Sequence, residues 1–262
     1  MGGYLLKEFA KKDENITATF RNSNQIVSYD NVNWVKHNVL IDHPNKILLR
    51  KHYQKLIHLA WSNVQDVQNK SHIDSQLPGH YKFLKSAVES GIKEIICIGT
   101  CFEYGGISAP YKSSDVTKPN TKYGIAKDCL RKKIELLKSS YDFKFIWIRL
   151  FFIYGEGQPL TTIYGQLKHS VENGKSLFNM SNGEQVRDYM HVKDVAKAII
   201  HVSKNDSCNG VINICSGQKK KLKNTVSDWI KINNWDIKLN LGHFAYRDYE
   251  PMIIWGIPNL LL

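Results

Sequence analysis

Five short apolar, β-branched runs separated by longer helical patterns constrain this chain more than any other feature. Ile16 to Phe20, Leu56 to Ala60, Glu94 to Ile98, Phe145 to Ile148 and Val211 to Ile214 read as strands. Continuous apolar strands of this length are what a parallel sheet covered on both faces requires. Between them, Tyr81 to Ser90 and Gly124 to Lys138 read as helices, the latter with Ile125, Cys129, Leu130, Ile134 and Leu137 on one side. The alternation predicts an α/β fold, a doubly wound parallel sheet built of right-handed βαβ units. Neither an internal repeat nor a Pro/Gly/Ser linker interrupts it, so a smaller C-terminal lobe is expected to grow from insertions after the later strands. The expected division is 1–155 for the sheet domain and 156–262 for most of the lobe, with about 186–217 returning to the sheet.

Composition limits the function classes. The chain has 262 residues, 42% hydrophobic and 23% charged, with mean hydropathy −0.36. That excludes a collagen-like, disulfide-dense or low-complexity chain. No apolar run reaches the ~18 residues of a membrane span, and the start Met1-Gly2-Gly3-Tyr4 is unlike a signal peptide. Cysteines at 97, 101, 129, 208 and 215 form no C-x-x-C pair, which fits a reduced cytoplasm. Lys and Arg number 36 against 24 Asp and Glu, a net +12, which draws anions without choosing among nucleic acid, membrane surface and phosphorylated small molecules. The run Lys219-Lys220-Lys221-Leu222-Lys223 reads as a solvated loop face. Ten histidines show no HExxH or Cys/His cluster, so no metal site is expected.

The opening is unusual for such a sheet. Residues 2–10 read as a helix begun by glycine with no strand before it. In dinucleotide-binding sheets the first helix follows a strand and a glycine-rich turn whose amides hold a pyrophosphate, and Gly2 stands where the last glycine of that turn would be.

Four tyrosines have a lysine four residues on: Tyr81/Lys85, Tyr123/Lys127, Tyr164/Lys168 and Tyr189/Lys193. On a helix this spacing shares a face, where an ammonium favours the deprotonated phenol and makes it a usable acid/base. Context selects Tyr123. The strand at Glu94–Ile98 runs into Gly99-Thr100-Cys101-Phe102-Glu103-Tyr104-Gly105, placing a hydroxyl at a strand's carboxyl end, where open α/β sheets bind ligands. After a polar loop with Pro110 and Pro119, Tyr123-Gly-Ile-Ala-Lys127 opens the next helix.

These residues resemble the extended short-chain dehydrogenase/reductases, the NAD-dependent epimerase/dehydratase family of Rossmann-type enzymes. Ile57-His58-Leu59-Ala60, Arg149-Leu-Phe-Phe-Ile-Tyr-Gly155, Arg187-Asp188-Tyr-Met-His-Val-Lys-Asp194 and Val211-Ile-Asn213-Ile-Cys-Ser-Gly217 agree with that family in order and spacing. The resemblance implies Thr100, Tyr123 and Lys127 as catalytic. Tyr123 would exchange a proton with the sugar, Lys127 would lower its pKa and contact the nicotinamide ribose, and Thr100 would bond the same substrate oxygen. Gly2, Arg21, Asn38, Leu59, Ala60 and Trp61 would join Tyr123 and Lys127 around the cofactor. Phe102, Phe152, Arg187 and Arg247 would join Thr100 around a nucleotide-sugar substrate, the arginines facing phosphates. The competing reading of Arg187 is a structural pair with Asp188 or Asp194. Arg21, in a stretch without a carboxylate, favours NADP over NAD.

Departures from the family narrow the chemistry. Where sugar dehydratases carry the Asp-Glu pair that eliminates water, this chain has Cys101 and Phe102. Where many epimerases carry Asn, it has Phe152. The stretch from Gly242 to Trp255 is similar to the branch of dTDP-6-deoxy-L-talose 4-dehydrogenases. The resemblance therefore implies NADP(H)-dependent, reversible reduction of a 4-keto group on a nucleotide-linked deoxysugar, in the cytoplasm, for surface polysaccharide. A nucleotide-sugar epimerase of the same family and a truncated, non-catalytic nucleotide- or RNA-binding relic are the alternatives. Neither a membrane nor nucleic acid is the expected partner, and a homodimer is a family expectation. In the usual strand order 3-2-1-4-5-6 the first strand lies mid-sheet. The chain begins near the end of the glycine turn, so a truncated sheet with two unpaired edges is expected.

Overall fold

The computed structural model describes residues 1–11, 14–22, 26–48, 52–106, 109–246 and 251–260. The chain opens with α1 (Gly2–Phe9), β1 (Ile16–Phe20), β2 (Val32–Lys36), α2 (Asn45–Leu48) and β3 (Lys55–His58). A π-helical turn (His72–Gln76) leads into α3 (Leu77–Glu89), β4 (Glu94–Thr100), a 3-10 turn (Cys101–Glu103), α4 (Lys122–Leu137) and β5 (Lys144–Leu150). There follow β6 (Phe152–Tyr154), α5 (Ile163–Glu172), β7 (Leu177–Asn179), β8 (Val186–Arg187), β9 (Tyr189–His191), α6 (Val192–Lys204) and β10 (Gly210–Ile214). Last come β11 (Lys220–Lys221), α7 (Leu222–Ile232), β12 (Lys238–Asn240) and β13 (Ile253–Ile254).

The main sheet has the order β10-β5-β4-β3, all pairs parallel. Side chains alternate across a strand, so each of β4 and β5 must satisfy two cores. Ile95 and Cys97 of β4, with Phe145 and Trp147 of β5, face Phe83, Leu84, Ala87, Leu130 and Ile134 of α3 and α4. Ile96, Ile98, Ile146 and Ile148 face the other way, against Leu5 of α1 and Val195, Ile199 and Val202 of α6. This is the physical content of the unbroken apolar runs: polar residues at those positions would be buried on either face. A smaller core of Tyr164, Leu167, Phe178, Val226 and Trp229 unites α5, α7 and the β7–β12 pair.

The sheet is doubly wound and, as expected of one lacking its first strand, in two pieces: β1 and β2 pair only with each other, apart from the four main strands. Among the described residues nothing pairs with the remaining edges of β1 and β3, and a ladder cannot bridge more than the ~4.8 Å between neighbouring strands. One expectation is corrected here: the lysine run at 219–223 is not a plain loop. Lys220 and Lys221 form β11, antiparallel to β8, while Lys221 and Lys223 pair with Glu184 and Lys220 with Asp228. Boundaries shift as well. The second expected strand ends at His58, leaving Leu59 and Ala60 on the rim, and β2 escaped notice because exposed Asn33 and Lys36 interrupt its apolar pattern.

The turn after β4 is held by a buried carboxylate. Glu103 Oε1 accepts from the Thr100 amide at 2.8 Å and from Trp147 Nε1 at 2.9 Å. Its Oε2 accepts from Arg149 Nε at 2.8 Å, with both charged side chains almost fully enclosed. The Thr100 hydroxyl in turn accepts from the Phe102 amide at 3.3 Å, completing a reciprocal cap. Gly99 is glycine because a Cβ there would meet Trp147 Nε1 at 2.2 Å and Glu103 Oε1 at 2.4 Å.

Two outcomes follow. Glu103→Ala strands the Arg149 guanidinium in the core and is expected to cost about 3–5 kcal/mol in urea unfolding; a loss below about 1 kcal/mol would refute the knot's importance. Fusing a strand-forming segment ahead of Met1 is expected to pair the free edges of β1 and β3 and raise the thermal midpoint by several degrees. An unchanged midpoint would mean that the two sheets are not waiting for a strand.

Candidate active site

The carboxyl end of β4 and the start of α4 meet at one wall of a cavity of about 1020 Å³. Helix α4 starts there because Thr121 caps it, its Oγ1 accepting from Gly124 N at 3.1 Å, and because the Tyr123 amide donates to the Val67 carbonyl at 2.9 Å. Gly124 permits the approach: a Cβ there would lie 2.4 Å from the Phe102 carbonyl oxygen. Tyr123 and Thr100 are thereby brought together, and a hydrogen bond from Thr100 acts on the phenol.

Both titratable groups of the expected triad are buried, and this changes their electrostatics. Burial pushes the Tyr123 phenol above its ordinary value, the Glu103 and Cys101 charges push the same way, and the Thr100 bond opposes them. Burial also lowers Lys127 to about 8. The expected lowering of the phenol by Lys127 is not the arrangement found. Its Nζ donates to the Ile98 carbonyl at 2.7 Å and stands 3.9 Å above the Trp61 ring, 6.0 Å from the centre of the Tyr123 ring. Desolvation outweighs the opposing Thr100 bond and keeps the phenol protonated.

Gly2, Leu59, Trp61, Thr100, Phe102, Tyr123, Lys127, Phe152 and Arg187 all line this one cavity. Phe102 and Phe152 meet edge to face at 6.2 Å, and the Arg187 guanidinium carbon lies 5.3 Å from the Phe152 ring. Arg187 Nη1 donates to the carbonyls of Val186 at 2.8 Å and Met252 at 3.2 Å. The Asp188 carboxylate next along the chain accepts from the Ser216 amide and hydroxyl and from the Gly217 amide.

Three expected residues stand apart from the lining. Arg21 is exposed beyond β1, its Nη1 donating to Ser62 Oγ at 3.1 Å. Asn38 spends its side-chain oxygen on the Leu40 amide at 3.1 Å, a local turn. Ala60 is exposed. Arg247 lies outside the described residues. The cavity also recruits Gln185, Tyr164, Tyr189 and Asn179, which sequence reasoning passed over. Tyr164 and Tyr189 carried a signal in their Tyr–Lys spacing, but it pointed to the wrong chemistry.

The residues present fit the nicotinamide end of a dinucleotide. A phenol, an ammonium and a hydroxyl share a wall, and glycine at the start of α1 stands beside Leu59 with no side chain intruding. No helix among the described residues is long and apolar enough to cross a membrane.

Comparison with known proteins agrees. A dTDP-6-deoxy-L-talose 4-dehydrogenase (NAD(+)) from Aggregatibacter actinomycetemcomitans is 30% identical over 214 residues, 80% of this chain and 78% of that protein. A dTDP-4-dehydro-6-deoxyglucose reductase from Escherichia coli is 26% identical over 209 residues, 74% of this chain but only 65% of that relative. The structure of a UDP-N-acetylglucosamine 4-epimerase from Methanobrevibacter ruminantium M1, in complex with UDP-N-acetylmuramic acid, superposes with a TM-score of 0.84 at 21% identity. That alignment covers 98% of this chain and 86% of the other. The family model for NAD dependent epimerases and dehydratases matches residues 1–215. With most of its length matched and its tyrosine, lysine and threonine on one cavity wall, the chain belongs to the NAD dependent epimerase/dehydratase family.

Proposed function

We propose that this protein reduces, reversibly, the 4-keto group of a nucleotide-linked 6-deoxysugar. The observation that carries the reading is the make-up of the wall around Tyr123. Elimination of water needs a carboxylic acid and a carboxylate beside the sugar. Here burial pushes the Cys101 thiol up to about 12, and its neighbour is the Phe102 ring. Neither side chain can relay a proton near neutrality. Phe102 and Phe152 instead offer an apolar surface beside the reacting oxygen, which suits a methyl group at C6 better than a hydroxymethyl or carboxylate. The two deoxysugar relatives point the same way.

When bound, the nicotinamide supplies or accepts the hydride at the sugar carbon. The chain's own residues manage the oxygen. A phenol held protonated by burial is a proton donor, and Tyr123 delivers that proton to the oxygen as the carbonyl becomes an alcohol. Thr100 hydrogen-bonds the same oxygen and aligns it. Lys127 places a positive charge at that wall, easing the negative charge that develops during reduction. Arg187 and the basic balance of the chain serve the substrate's phosphates. Arg21, at the end of β1, is suited to the extra phosphate of NADP, with NAD the alternative.

Tyr123→Phe is expected to lower kcat by about 10²–10⁴-fold while leaving the unfolding midpoint intact. Retained activity in the folded variant would overturn the assignment. Consumption of one NADPH per 4-keto sugar separates a reductase from an epimerase, which uses none overall. Arg21→Asp is expected to shift kcat/KM from NADPH toward NADH by about tenfold or more; a wild-type preference for NADH would instead assign the protein to NAD.

A further inference from the structure

Lys127 is only 2% exposed, and among the described residues no carboxylate forms an ion pair with it. Its ammonium is met by one carbonyl and by ring faces: Trp61 at 3.9 Å, Trp147 at 5.9 Å and Tyr123 at 6.0 Å. Trp61 is itself tightly placed. Its Nε1 donates to His72 Nδ1 at 3.0 Å, and its ring stacks on His80 at 4.6 Å with planes 16° apart. His80 is fixed in turn by His58 at 2.9 Å and Gln76 at 3.1 Å.

We infer that Trp61 is a positioning residue for Lys127, its indole face taking the place of a counter-ion and keeping the buried ammonium charged at the cavity wall. An unpartnered ammonium in a dry site sheds its proton. An indole face attracts a cation most strongly where water is excluded, and it brings no acid of its own to the cavity. Among the surrounding groups the Glu103 carboxylate also favours the charged form, though without an ion pair, and the ring is the face in direct contact with the ammonium. From β3, the π turn and α3 come His58, His72 and His80, all pushed down by burial, the first to about 3 and the last to about 2. They are therefore neutral at pH 7. Cys97 on β4 is pushed up to about 12 and is neutral too. From α4 comes Tyr123, held protonated. Glu103, beyond β4, is committed to Arg149 and Trp147. The histidines thus serve as a neutral stacking base under the indole rather than as ligands or proton carriers.

The inference concerns the unliganded protein and holds whichever sugar is reduced. The test is a pH titration of protein labelled with ¹³Cε-lysine, the Lys127 resonance being assigned by its loss in Lys127→Met. The wild-type midpoint is expected near pH 8. Trp61→Leu should lower it by about one pH unit, a tenfold loss of proton affinity, whereas Trp61→Phe, which keeps a ring face, should lose about half as much. An unchanged midpoint in folded Trp61→Leu would overturn the inference. So would equal shifts in the two variants, which would place the effect in the hydrogen bond to His72. Should Trp61→Leu not fold, the wild-type protein decides. The Trp61 emission, taken as the difference from Trp61→Phe, should shift through the Lys127 midpoint, and its absence would overturn the inference as firmly.

Discussion

The carboxylate of Glu103 organises more of this molecule than its size suggests. It reaches back from the turn after β4 to the Thr100 amide, across to Trp147, and onto Arg149 of the neighbouring strand. Burial pushes its pKa up while the Arg149 guanidinium and the N–H donors pull against that rise. Its bonds join β4 to β5 at the end where they open, and they set the backbone on which Thr100, Cys101 and Phe102 are displayed. The close approach that leaves Gly99 no room for a side chain belongs to the same knot. A site built on such a terminus inherits the rigidity of the sheet.

Burial governs the electrostatics of that site. Tyr123 and Lys127 are both buried, and each is shifted toward its neutral form. A neutral phenol suits proton donation, and an ammonium close to neutrality can be moved across its titration by modest changes around it. Aromatic faces are well matched to such a balance. They stabilise the cation without the full commitment of an ion pair, which would hold the charge through any pH the protein meets.

Much of this was legible in the chain. Strands apolar on both faces and a Tyr-x-x-x-Lys helix after a strand ending in threonine were enough to expect a parallel α/β sheet with Thr100, Tyr123 and Lys127 together. Arg149 and Glu103 were also in view, yet nothing local revealed that they pair, since 46 residues separate them. Asn38 and Arg21 lie apart from the cavity lining, their partners being a neighbouring amide and a serine hydroxyl that the sequence did not single out. Trp61 lines the cavity, while its contacts with α3 and α4 are ones that no spacing along the sequence brings to it.

What the sequence determined alone was periodicity and inventory: which segments must be buried on two faces and which residues carry a titratable proton. Those follow from side-chain type and the repeat of helix and strand. Tertiary structure alone decided the electrostatics. The protonation of Tyr123 and the aromatic surroundings of Lys127 depend on which groups lose water together. Desolvation is a property of the assembled interior, and it has no counterpart in the order of residues along the chain.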